Sequence, residues 1–203
     1  MRRPTTITLP MIAAVVISAC ATGDGRDLAA PVFAPPVITT TTTTLPNVVA
    51  DRVPTTVFEL VAPWQDGTAV AVRHTCDGAG LPPALNWSGV PADAVELAVT
   101  AVDLDALDFV HWIVFGIDPA TTGLGVGDQR LPGTEGPNSA GTLGWTAPCP
   151  PAGDEHVYQF TVHALDRPLT VGDEASPVEI LAMLNLLAID QAWISGTYAR
   201  AAG

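Results

Sequence analysis

The 203-residue chain has few charged residues, and basic residues are the scarcer kind. Charged residues make up 14% of the chain, with 8 Lys and Arg against 21 Asp and Glu and a net charge of −13. This charge opposes binding to nucleic acid, so any phosphate group has to be held by a local pocket. The shortage of Lys and Glu, together with 19 Pro and 18 Gly, favours strands and loops over a helical bundle.

Several motifs of catalysis are also missing. No glycine-rich loop follows a strand and opens a helix, so nucleotide chemistry has no support. Ser139 lies in PNSAG, which lacks the first glycine of a hydrolase nucleophile motif. The stretch DLDALD (103–108) lacks the glycine and the glutamate of a calcium loop. We therefore expect a protein that is not an enzyme and has no cofactor or metal; a metal held by Asp103, His111 and His156 is the less favoured alternative.

The N-terminus is typical of a secretory signal. Two arginines at 2–3 precede an apolar stretch at 7–17 that is too short to span a bilayer. The following ISAC resembles a bacterial lipobox and implies cleavage of residues 1–19, with lipid on the sulfur of Cys20. A plain signal peptide with an incidental cysteine is the alternative. Lipidation predicts an exported protein anchored on the extracytoplasmic face of the cell membrane.

Residues 20–54 are typical of a disordered tether. They contain a threonine run at 39–44 between prolines, and such segments bury too little apolar area to fold. The folded domain is therefore expected over 55–203. Within it, Cys76 and Cys149 can form a disulfide in an oxidising compartment. Two free thiols are the alternative, and metal binding is disfavoured because neither cysteine has a CxxC or CxxH neighbour.

Short strands separated by turn residues dominate this domain. They are predicted over 55–62, 68–75, 95–103, 109–117, 156–166 and 193–200. One helix is predicted over 177–192, with Ser176 as N-cap, Pro177 at its first position and Glu179 completing a capping box. The pattern lacks strand–helix alternation and predicts an all-β-dominated fold, an antiparallel β-sandwich of two sheets with a C-terminal helix.

A histidine interrupts the apolar strand at 109–117. Strict alternation would put two sets of side chains on opposite faces, Phe109, His111, Ile113 and Phe115 on one and Val110, Trp112 and Val114 on the other. Both faces look buried, so the imidazole needs a hydrogen-bond partner. Taken alone, His111 is explained as a core histidine that is hydrogen-bonded to nearby backbone.

Four stretches together resemble the phosphatidylethanolamine-binding protein family, in its bacterial Raf-kinase-inhibitor-like branch. They are TCDGAGLPPALNW (75–87), VDLDALDFVHWIV (102–114), GWTAPCPPAGDEHVYQFTVHALD (144–166) and GTYAR (196–200). The resemblance covers nearly all of 55–203. It implies a β-sandwich with a small anion pocket at one end, which in the family accepts phosphate-like groups such as a phosphoethanolamine headgroup.

The resemblance also implies which residues bind the ligand. The residues that match the family's pocket motifs are Asp103, Asp105, Phe109, His111, Cys149, Pro150, His156 and Tyr158. Among the departures from the family pattern, Leu104 replaces a proline and Phe109 replaces a common tryptophan. His74 and His163 match no pocket motif and are expected to be structural.

These features together predict a membrane-tethered, extracytoplasmic, non-catalytic binding protein. Its partner would be a small anionic or phospholipid-headgroup ligand. The alternative is an inhibitor of a secreted or surface protease acting through protein contacts, because relatives inhibit a carboxypeptidase or kinases.

Overall fold

The strands of the chain form two sheets in the computed structural model, which describes residues 56–125, 130–172 and 174–202. The strands are β1 (Glu59–Val61), β2 (Thr68–Ala69), β3 (Leu85–Ser88), β4 (Glu96–Asp103), β5 (Phe109–Ile117), β6 (Gly123–Leu124), β7 (Thr134–Glu135), β8 (Glu155–Leu165) and β9 (Ala188–Ala199). A 3₁₀ turn (Val72–His74) follows β2, and the helix α1 (Pro177–Leu187) lies between β8 and β9.

The small sheet has the strand order β1-β3-β6, and the large sheet has the order β2-β9-β8-β4-β5-β7. Every pair of neighbours is antiparallel except β2 and β9. The predicted antiparallel sandwich of two sheets with a C-terminal helix is confirmed.

Both faces of the large sheet are covered. The side chains between the two sheets include Leu97, Val99, Trp112 and Phe160. The side chains between the large sheet and α1 include Ala98, Ile113, Ile180 and Leu184. Strand β4 lies at the centre and is buried along its whole length, which explains its nearly continuous apolar sequence.

A β-bulge at His111 overturns the strict alternation expected for β5. Ala101 pairs with Trp112, but the next residue, Val102, pairs with Val110, so His111 is an extra residue in the ladder. A bulge of this kind re-aims the side chains on either side of it. The residues that face the inside of the sandwich are Phe109, His111, Trp112 and Val114, whereas Val110, Ile113 and Phe115 pack on the helix side.

The ends of several elements differ from the prediction. The segment predicted as a strand over 68–75 pairs only at Thr68–Ala69 and then enters the 3₁₀ turn. The first strand begins at Glu59, and β3 was not expected. Strands of two to four residues carry too short a periodic pattern to be read from sequence.

The capping box of α1 is confirmed, but the helix ends earlier than predicted. The Ser176 side chain accepts from the Glu179 N–H, and the Glu179 carboxylate accepts from the Ser176 N–H at 2.9 Å. The helix ends at Leu187 rather than 192, because residues from Ala188 onward pair with β8. Tertiary pairing here overrides the helical tendency of the segment.

Cys76 and Cys149 are joined by a disulfide, so the free-thiol alternative is excluded. The expected signal peptide (1–19), the lipidated Cys20 and the tether (20–54) lie outside the described residues. None of the helices in the part of the chain that the structure describes has both the length and the apolar character needed to cross a bilayer.

Candidate functional site

A cavity of about 320 Å³ opens at one end of the sandwich, where β4 ends and β8 begins. Six of the eight residues predicted to bind ligand line it, namely Asp103, Phe109, His111, Cys149, Pro150 and His156. Four further lining residues were not among those predicted to bind the ligand, namely Ala106, Thr146, Ala147 and Pro151. Tyr158 and Asp105 do not line the cavity.

An aspartate and a histidine form a charge-assisted pair in this cavity. The His156 Nδ1–H donates to Asp103 Oδ2 at 2.7 Å, and Asp103 Oδ1 accepts from the Asp105 N–H at 2.9 Å. Both carboxylate oxygens of this buried aspartate are therefore engaged. The bond fixes the proton of His156 on Nδ1 and leaves Nε2 as the ring nitrogen that is free to bind a ligand.

The bulge aims His111 into the same cavity. Its Nδ1–H donates to the Thr146 carbonyl at 2.8 Å, and the Thr146 N–H donates back to the His111 carbonyl at 2.9 Å. Its Nε2 lies 3.9 Å from Asp103 Oδ2. Burial lowers the pKa of His111, although the Thr146 carbonyl and the Asp103 carboxylate oppose that effect. The lowered pKa favours the neutral imidazole, in which Nε2 is an acceptor.

The backbone bond that would explain His111 as an ordinary core histidine is thus present, yet the same ring lines a cavity. Both descriptions hold, because the bond to Thr146 occupies one ring nitrogen and leaves the other for a ligand. His74 lines no part of this cavity. Its Nδ1–H donates to the Leu81 carbonyl and its Nε2 accepts from Arg73 Nε.

Tyr158 packs against the His111 ring inside the sandwich. The ring centroids lie 5.3 Å apart in an edge-on arrangement, and the tyrosine is 1% exposed. Its hydroxyl has no hydrogen-bond partner among the described residues. Burial and then the charge of Asp103 raise its pKa, so the hydroxyl stays protonated. It positions the histidine rather than contacting the cavity.

The turn after β4 is held by hydrogen bonds to the backbone of β8. Asp105 Oδ2 accepts from the Val157 N–H at 2.7 Å, and the Leu104 N–H donates to the Val157 carbonyl at 2.9 Å. A proline at position 104, as in the family pattern, has no N–H to make this bond. The turn closes through Leu107 and Asp108, both in the left-handed region with φ of 52° and 56°. Such strained residues persist only where the surrounding structure holds them.

The opposite rim of the cavity is the segment 144–151, which is fixed at several points. The Trp145 indole donates to the Gly80 carbonyl at 2.9 Å, and the Cys76 N–H donates to the Pro148 carbonyl at 3.0 Å. The disulfide joins the rim covalently to the segment at Cys76. Three prolines restrict this rim further, so the cavity is largely preformed.

Comparison with known proteins identifies the family. A family model described as phosphatidylethanolamine-binding protein matches residues 62–199. The chain belongs to the phosphatidylethanolamine-binding protein family. The resemblance drawn from the four sequence motifs is therefore confirmed.

Two relatives and one solved structure illustrate the match. The chain is 34% identical over 201 residues to "Putative lipoprotein LppC" of Mycobacterium tuberculosis, which covers 98% of this chain and 97% of that protein. It is 40% identical over 144 residues to a UPF0098 protein of Methanothermobacter thermautotrophicus, covering 68% of this chain and 95% of that protein. The crystal structure of Escherichia coli YbcL, described as a new member of the mammalian PEBP family, superposes with a TM-score of 0.65 at 32% identity. The match covers 70% of this chain and 98% of that chain.

Proposed function

We propose that this member of the phosphatidylethanolamine-binding protein family is a non-catalytic binding protein for the phosphate of a small headgroup such as phosphoethanolamine. One observation carries the proposal. Two histidines line one preformed cavity, each with Nδ1 engaged by the protein and Nε2 left over. When protonated, both Nε2 atoms become donors of charge-assisted hydrogen bonds to phosphate oxygens.

The cavity charges suit a ligand that carries both signs. Asp103 balances one imidazolium and gives the ligand's ammonium group a carboxylate to approach. Inorganic phosphate has no ammonium group, so the same carboxylate only repels it. We therefore expect phosphoethanolamine to bind more tightly than inorganic phosphate, against the background of a net charge of −13.

The chemistry of the lining favours binding over catalysis. The Cys149 sulfur is committed to the disulfide and cannot attack a substrate. The pair formed by His156 and Asp103 could act as a general base, but it needs a nucleophile within hydrogen-bond reach of the imidazole. The hydrogen bonds of the described residues connect no hydroxyl to either cavity histidine.

Anchoring on the outer face of the membrane is the second part of the proposal. It is supported by the lipobox-like ISAC before Cys20 and by similarity to the mycobacterial LppC over nearly the whole chain. The disulfide is consistent with an oxidising compartment. Radiolabelled fatty acid that enters wild-type protein but not a Cys20→Ser variant would support this part; equal labelling would contradict it.

Nuclear magnetic resonance titration tests the ligand proposal. The full chain carrying Cys20→Ser is titrated with inorganic phosphate and with phosphoethanolamine while the histidine ring signals are followed. We expect saturable shifts at His111 and His156 that disappear in His111→Ala. His163→Gln is the matched control, because His163 is equally buried but lies on the helix side of the large sheet.

The outcomes separate the alternatives. Binding retained in the control and lost in His111→Ala supports the proposal. An absence of shifts at millimolar ligand, or loss of binding in both variants, contradicts it. In that case the protease-inhibitor alternative is examined next, by assaying secreted proteases in the presence of the chain.

A further inference from the structure

A second cavity lies on the other face of the large sheet, between the sheet and α1. Its volume is about 210 Å³. Neutral hydrogen-bonding side chains from β4, β8, α1 and β9 line it, namely Thr100, Gln159, Thr161, His163, Asn185 and Gln191. None of these residues lines the first cavity, the proposed anion pocket around His111 and His156.

The floor of this second cavity is polar and buried. Thr100, Thr161 and His163 are each 5% exposed or less. Sheet faces covered by a helix normally carry apolar side chains, as the neighbouring Ala98 and Ile113 do here. Polar groups in such a position have to be hydrogen-bonded, and the arrangement of their bonds shows which atoms remain available.

The bonds within the network run in one direction. The Gln191 amide nitrogen donates to His163 Nδ1 at 3.1 Å and to Asn185 Oδ1 at 3.1 Å. Because an amide nitrogen only donates, His163 Nδ1 is the acceptor, and its Nε2–H faces Thr100 Oγ1 at 3.0 Å. The histidine is thus neutral and fixed in one tautomer.

Several atoms around the cavity remain available to a ligand. Among the described residues, the hydrogen bonds leave the carbonyl oxygens of Gln159 and Gln191 and the amide hydrogens of Asn185 without a protein partner. The Thr161 hydroxyl accepts from Gln159 and keeps its own hydrogen to donate. The residues that carry these donors and acceptors all line the same cavity.

The lining also restricts the charge and size of the ligand. Among the described residues that line it, Asp108 and the neutral His163 are the ionisable members and none is Lys or Arg, so an anion has no counter-charge there. Leu181, Val102 and Leu104 provide an apolar wall for C–H groups. The volume corresponds to roughly seven water molecules at about 30 Å³ each.

We propose that this cavity is a second binding site that takes a small uncharged polyol, of the size of a sugar alcohol or a monosaccharide. A lining that offers both donors and acceptors matches hydroxyl groups, which both donate and accept. The turn 104–108 separates this site from the anion pocket: Ala106 lines the pocket, whereas Leu104 and Asp108 line the polyol site.

Titration of the full chain carrying Cys20→Ser with glycerol, glucose and myo-inositol tests the proposal. We expect saturable shifts of the His163 ring signals and of the Asn185 and Gln191 side-chain amides with at least one polyol. The ring signals of His111 should not move. Inorganic phosphate should leave the His163 signals in place.

Two variants make the test specific. Asn185→Leu places a good helix former at an exposed position of α1, and Thr161→Val keeps the shape of the floor while removing a hydroxyl. Each should weaken polyol binding about tenfold, as expected for one lost hydrogen bond. Asn86→Leu, on the exposed side of β3, is the control and should bind like the parent chain. Shifts that never saturate, or that are equal in Asn185→Leu and Asn86→Leu, would overturn the proposal.

Discussion

The buried His163 makes the stability of the protein depend on pH in a way that can be calculated. Burial lowers its pKa from the ordinary 6.5 to about 4. The geometry agrees, because protonation of Nδ1 would place an N–H against the amide nitrogen of Gln191. The folded state therefore strongly prefers the neutral ring, whereas the unfolded chain takes up a proton near pH 6.5.

The sign and size follow from this difference in pKa. Between pH 6.5 and about 4 the unfolded state binds more protons than the folded state, so the free energy of unfolding falls as the pH falls. Each pH unit in this window contributes about 1.4 kcal/mol. From pH 7.5 to pH 5, His163 alone should cost about 2 kcal/mol of stability.

The assay is urea unfolding of the parent chain and of His163→Gln at several pH values between 7.5 and 5. Glutamine does not titrate but can still bond to Thr100 and Gln191. The other histidines contribute equally to both proteins and cancel in the difference. The range stops above the isoelectric point of about 4.3, where the chain would lose solubility.

The stability of the parent chain relative to His163→Gln should drop by about 2 kcal/mol over this range. A difference that stays constant within about 0.5 kcal/mol would refute the reasoning. It would mean that His163 is either accessible to protons in the folded state or bonded in another tautomer.

Three further predictions concern the proposed anion pocket and the structure around it. Burial lowers the pKa of His111, so anion binding takes up a proton at pH values above that lowered pKa. Sulfate, whose charge is constant near neutral pH, should therefore bind up to tenfold more tightly for each unit by which the pH falls toward it, and a flat profile in calorimetry would contradict this. Replacing both Cys76 and Cys149 by serine opens a loop of 73 residues and should lower the free energy of unfolding, measured by urea denaturation, by about 4 kcal/mol. A loss below about 1 kcal/mol would show that other contacts hold the loop. Ser176→Ala removes the helix cap and should lower the free energy of unfolding by about 1 kcal/mol in the same assay. The control Ser88→Ala, at an exposed position, should change it by no more than about 0.5 kcal/mol. Equal effects of the two substitutions would contradict the role of the cap.

The parts of the fold that the sequence predicted are those with strong local signals. Strands β4, β5 and β8 are eight residues or longer, so their apolar patterns stand out. The capping box at Ser176 is a local motif and was predicted residue by residue. The start of β9 was not predictable, because residues after Leu187 become a strand only by pairing with β8.

The candidate site divides in the same way. The motif positions pointed to Asp103, His111 and His156, and these three residues line one cavity. The bulge that aims His111, however, arises from the register between β4 and β5 and leaves no periodic signature. The bond from His111 to the Thr146 carbonyl could not be predicted from the sequence either, since any residue at position 146 supplies a carbonyl.

The second cavity illustrates a different limit. His163 matched no motif and was expected to be structural, and its bonds to Thr100 and Gln191 agree with that expectation. What the sequence could not show is that side chains from β8, α1 and β9 leave an open polar space beside it. Such a space depends on how three separate elements pack together.

The most direct test of the anion pocket is a crystal structure of the chain soaked with phosphoethanolamine. The proposed function predicts phosphate density in the cavity at the end of β4, with oxygens within about 2.7–3.2 Å of Nε2 of both His111 and His156. It also predicts that the bonds from His111 to Thr146 and from His156 to Asp103 persist. Density for the ligand elsewhere, or an empty cavity at saturating ligand, would contradict the claim that these two histidines form a phosphate site.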